Sequence, residues 1–103
     1  MAKKANTNII KGKTSSGIQF CIDKRIKDDA RLLFWFSRIQ NENLDAMERN
    51  NALFSLLELI FGSGEGLSAL LNEVAAKHDG VADIESLTQE LTEMFEALNV
   101  KNS

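Results

Sequence analysis

Three short stretches carry residue types that do chemistry in other settings. Gly12-Lys13-Thr14 spells the end of a phosphate-binding loop, where backbone N–H groups cradle phosphates and a lysine offsets their charge. The full pattern needs a glycine five residues before Gly12, where Thr7 stands, and a helix directly after Thr14. A turn and a strand are expected after Thr14 instead, so nucleotide binding is not. The glycines between Gly62 and Gly66 could seat a phosphate at the next helix N-terminus, but no Lys or Arg stands beside them, and a helix–helix link is the better account. His78 is the single histidine and Cys21 the single cysteine, which leaves a metal site short of ligands. Near a helix C-terminus, His78 is expected to meet free carbonyls and the helix dipole. Cys21 would need a base to act as a nucleophile. Carboxylates are spread over polar helix faces with no pair set aside for acid–base work. No catalysis, no cofactor and no metal are expected.

The elements that position these residues follow from periodicity. Ile18, Phe20 and Ile22 alternate with Gln19 and Cys21, the period of a strand with one buried face, so Cys21 is either exposed or in an interface. Thr14-Ser15-Ser16-Gly17 reads as a turn with Gly17 at positive φ, giving a β-hairpin over 9–23 with strands near 8–13 and 18–22. A hairpin alone is marginal in water, so its apolar face must lie on helices or on another chain's strand. Helical spacing begins at Asp28-Asp29, carboxylates suited to a helix N-terminus, and runs to about Ile39. Asp45 and Glu48 form a capping-box pattern for a second helix that Gly62 ends. Its half from Leu53 to Phe61 is apolar nearly all round, the mark of a central helix. A third helix, about 66–78, places Leu67, Leu70, Leu71 and Val74 on one face. A fourth, capped by Asp83 and running about 84–98, places Ile84, Leu87, Leu91, Met94, Phe95 and Leu98 on one face, with Glu90, Glu93 and Glu96 assigned to the other. The expected fold is mainly α: an N-terminal β-hairpin and then a compact bundle of about four helices over 28–98. A polar arm at 1–8 and a polar tail at 99–103 flank it.

Composition bounds the rest. At 103 residues the chain makes one domain, and with 44% hydrophobic residues it is too apolar for bulk disorder. One cysteine excludes an internal disulfide and fits a reducing compartment. No apolar run approaches the roughly 18 residues of a membrane span, and Met1 to Ile10 lacks the apolar centre of a signal peptide, so a cytosolic protein is expected. Charge is divided along the chain. Residues 1–31 hold eight Lys/Arg against three Asp/Glu, and the remainder four against twelve. The basic front suits an acidic partner or nucleic acid, or it pairs with the acidic part of its own chain or of a neighbouring copy. Only Phe20 interrupts those basic residues, whereas nucleic-acid modules interleave aromatics or glycine motifs among them.

One surplus is left over. Leu32-Leu33-Phe34-Trp35-Phe36 is five large apolar residues in a row, and at roughly 100° per residue they cover more than one helix face. Leu32, Phe36 and Ile39 form a core stripe with Leu33 beside it. Phe34 and Trp35 point elsewhere, either into a core closed by the hairpin or onto a partner.

The stretch from Ile9 through Gly12-Lys13-Thr14-Ser15-Ser16-Gly17-Ile18-Gln19-Phe20-Cys21-Ile22-Asp23, with Asp28-Asp29 and Leu32-Leu33, resembles the opening of small tail assembly chaperones. These come from long non-contractile-tailed phages and prophages of Gram-positive bacteria. Leu91 to Leu98 with Lys101-Asn102-Ser103 is similar to that family's last helix and tail. The first helix is more aromatic than the family's usual run. The resemblance implies a non-enzymatic role in the host cytoplasm, from a gene between those for the tail tube and the tape measure protein. Such proteins coat the tape measure, recruit tail tube subunits, act with a frameshifted longer form of themselves, self-associate, and are absent from the finished virion. On this reading Phe34 and Trp35 are contact residues, and Ile18, Phe20 and Ile22 mark a second contact surface. Neither nucleic acid nor a membrane is an expected partner. A small DNA-binding regulator using the basic N-terminal segment and a head–tail joining protein of the virion are the alternatives.

Overall fold

The computed structural model describes residues 8–62 and 64–100. The expected arm other than Asn8, and the expected tail beyond Val100, lie outside these residues. The fold is mainly helical, with an N-terminal two-stranded hairpin and four helices.

Strands β1 (Ile9–Lys13) and β2 (Gln19–Asp23) pair antiparallel, with Lys11 opposite Cys21 and Gly12 opposite Phe20. The turn between them closes through Gly17 N–H to the Thr14 carbonyl and Thr14 N–H to the Ile18 carbonyl, both 2.9 Å. Gly17 sits at φ 100°, a conformation that a Cβ would penalise. Gly12 has a different reason. The Phe20 ring lies over its Cα, and a Cβ there would come within 2.6 Å of the ring. The residues that spell part of a phosphate-binding loop are thus a strand end and the first turn residue, with a glycine that makes room for a cross-strand aromatic.

A 3-10 turn over Lys24–Asp28 follows, an element that helical periodicity alone does not reveal. Helix α1 (Ala30–Gln40) therefore starts two residues later than Asp28, with Asp29 as the capping residue. Helix α2 (Ala46–Phe61) has the full capping box: Glu48 N–H donates to the Asp45 carboxylate at 2.8 Å, and Asp45 N–H donates to the Glu48 carboxylate at 3.4 Å. Gly62 ends it, as expected. Helix α3 covers Glu65–Lys77 and α4 covers Ile84–Val100, two residues beyond the expected end.

The core is one cluster. Ile10, Ile18, Phe20 and Ile22 of the hairpin join Leu32 of α1, Leu53, Leu56 and Leu57 of α2, Leu70 and Val74 of α3, and Leu87, Leu91, Met94 and Leu98 of α4. Helix α1 packs along α2, α3 packs on α2 and α4, and β1 lies against α4. The apolar face of the hairpin is thus covered by helices of its own chain. Among the described residues, no single helix is long and apolar enough to cross a membrane.

Candidate functional site: the aromatic face of α1

Helix α1 is anchored by one fully packed residue. Leu32 is buried, while Trp35 and Ile39 are half-buried against the core. The residues around Leu32 fan outward because successive side chains are rotated by roughly 100°. Leu33 and Phe34 are 55% and 53% exposed, and Phe36 is exposed at its margin. Phe34 stands on the crest of the helix, opposite Leu32. Its ring meets Trp35 edge-on at 4.9 Å and 71°, and the Arg38 guanidinium lies 5.9 Å from its centroid. These contacts fix the ring without covering it.

The crest has a shallow groove on each side. Leu33, Phe36 and Leu32 of α1 face Phe95 and Leu98 of α4, with Lys27 at the rim. Phe36 and Phe95 meet at 5.9 Å in an edge-to-face pair. On the opposite side Trp35 and Arg31 face Ser55, Glu58 and Leu59 of α2. Helix α1 thus offers an apolar surface from the Phe95 groove over the Phe34 crest to Trp35, where a more polar groove borders it.

Phe34 is at the surface as a contact residue requires, and Trp35 divides its ring between that surface and the core. Ile18, Phe20 and Ile22 are corrected: all three are buried in the intramolecular core, so they are not an outer contact surface. The physical reason is the marginal stability of a lone hairpin, which here uses its whole apolar face against the helices. Leu33, Phe36 and Phe95 complete the surface instead. The run of five apolar residues carries that signal, and Phe36, expected in the core stripe, lies at its exposed edge.

The second feature is polar. Glu90, expected on the solvent face of α4, is 2% exposed. Its Oε2 accepts from the Ser16 hydroxyl and from His78 Nε2 at 2.7 Å. Thr14 Oγ1 lies 3.1 Å from Ser16 Oγ and accepts the Ile18 N–H at 3.1 Å. Next to it, Glu93 accepts the Ser15 N–H at 2.7 Å and the Ser15 hydroxyl at 2.8 Å. Burial pushes the Glu90 carboxyl up, but the hydroxyls of Ser16 and Thr14 and the His78 imidazole outweigh it and hold it below the ordinary glutamate value. His78 caps the end of α3 with its backbone N–H, which donates to the Ala75 carbonyl, while its ring Nε2 meets Glu90 instead of the expected helix carbonyls. In a Ser–His–acid relay the imidazole stands between hydroxyl and carboxylate. Here the carboxylate stands between the other two, and this order ties the hairpin turn to α4 and the end of α3. Cys21 is exposed on the outer face of the hairpin. Among the described residues, no three His, Cys, Asp or Glu side chains gather in a metal-holding group.

No protein-family model, curated protein or solved structure matches the chain.

Proposed function

We propose that this protein is a tail assembly chaperone of a long-tailed phage or prophage. In this reading it coats the helical tape measure protein, keeps it soluble and brings tail tube subunits to it. The observation that carries the proposal is the surface of α1, where Leu33, Phe34 and Phe36 lie open beside a well-filled core. Contiguous exposed apolar residues on a small protein mark a contact surface. Covering one such side chain contributes roughly 1.5–3 kcal/mol, too little to hold a client alone. Many copies arrayed along one extended client gain by avidity, which suits a transient coat that must later leave. The resemblance of the hairpin and last helix to that chaperone family supplies the identity of the client. The same face serves self-association and contact with the frameshifted longer form, in the host cytoplasm and outside the mature virion.

Co-expression with the tape measure protein tests this. The expected result is a soluble tape measure that co-purifies with the chaperone and stays bound at high salt, because apolar contacts are not screened. A tape measure that remains insoluble in the presence of both the short and the extended product overturns the proposal. A complex that dissolves in salt would point to the basic N-terminal residues instead of α1.

A further inference from the structure

The buried polar cluster at the hairpin turn points to a device in the fold itself. Hydrogen bonds run from the Ile18 N–H to Thr14 and from the Ser16 hydroxyl to Glu90 Oε2, where His78 Nε2 also arrives. The Thr14 hydroxyl lies 3.1 Å from Ser16 Oγ and helps to stabilise the Glu90 carboxylate. The other carboxylate oxygen, Glu90 Oε1, is buried without a hydrogen-bond partner. The surrounding charged groups come from three elements. Glu93 on α4 holds Ser15, the Lys77 ammonium at the end of α3 lies against Gly17, and Asp83 before α4 interacts electrostatically with His78.

We propose that the Thr14–Gly17 turn is an acid-released latch: ionised Glu90 holds the hairpin end on α4, and protonation of Glu90 frees it while the helices stay packed. A proton has two places to go, and both oppose the closed state. On Oε2 it displaces a donor from Ser16 or His78. On Oε1 it becomes a buried O–H with no acceptor. His78 Nε2 meets the same carboxylate oxygen, and the positive charge of the imidazolium adds to the hold on ionised Glu90. The direction of the linkage follows. Closed-state Glu90 lies below its ordinary value, so the latch is fully held above the usual glutamate range and is lost as pH falls through the depressed value. Opening is local because the turn is held by polar contacts while the strands behind it are held by the core. Release is confined to the Thr14–Gly17 turn, and Ile18, Phe20 and Ile22 stay in the core.

Hydrogen-exchange protection factors, followed by mass spectrometry from pH 7 to pH 3 and corrected for intrinsic rates, test the latch. The expected result is that the hydrogen-bonded turn amides of Thr14, Ser15, Gly17 and Ile18 lose at least tenfold protection at a pH where α2 keeps its own. Glu90→Gln is expected to show the low turn protection already at pH 7. Ser16→Ala keeps the carboxylate and the fold, removes one donor, and is expected to move the release to higher pH. Simultaneous loss of protection in the turn and α2, or a release pH that Ser16→Ala leaves unmoved, overturns the proposal.

Discussion

At the scale of single residues, two positions show how neighbours decide what a side chain does. Gly12 lies under the Phe20 ring, so Gly12→Ala forces that ring outward. The expected cost is about 1–3 kcal/mol, typical of overpacking, read as a lower urea midpoint at unchanged slope. Glu90 was legible in principle. Counting roughly 100° per residue from Leu87 places Glu90 about 70° from the centre of the Leu87/Leu91/Met94/Leu98 stripe, on the edge of the buried face. Its charge argued for solvent, because an unpaired buried carboxylate is costly. The partners that make burial tolerable, Ser16 and His78, lie 74 and 12 residues away in sequence, and no local pattern reveals them. The hydrophobic alternation of Ile18, Phe20 and Ile22 was equally plain. It shows that a face is buried, but not whether the cover belongs to the same chain.

At the scale of elements, the helix starts were the most legible feature because caps are local chemistry. Asp45→Ala should cost about 1 kcal/mol in a denaturant melt, since it leaves the Glu48 N–H without its acceptor. Asp29 caps α1 by accepting the Arg31 N–H at 2.8 Å. Chiefly through its side-chain hydrogen bond, Arg31 also holds the Asp29 carboxyl at about 2. The Asp29 contribution to α1 is therefore present above the usual aspartate range and lost only as pH falls through about 2. A carboxyl NMR titration should give that midpoint, and Arg31→Ala should return it towards 3.8. Asp23 and Arg25 repeat the arrangement at the 3-10 turn, where Asp23 accepts the Arg25 N–H at 2.9 Å. That turn escaped sequence reading because five residues with one apolar member, Ile26, carry no period. In the core, Leu57→Ala should cost about 2–5 kcal/mol, while exposed Met47→Ala should stay within about 0.5 kcal/mol.

At the scale of the whole molecule, a filled core coexists with an aromatic crest that it does not use. The order of elements and the apolar surplus on α1 were readable from periodicity. Which of Phe34, Trp35 and Phe36 would be left outside depended on how α2 and α4 seat against α1, a question of packing rather than pattern. Because Leu33 and Phe34 are half exposed, replacing both by serine should cost about 1.5–3 kcal/mol of folding stability, less than two core truncations. If the crest binds the client, the same change should abolish binding. The most direct measurement is the fraction of tape measure protein that stays soluble and co-purifies with the wild-type chain, against that with the Leu33→Ser/Phe34→Ser variant. The account predicts capture by the wild type and loss of capture by a variant that is still folded at the assay temperature. Equal capture by both would contradict the assignment of α1 as the client-binding face.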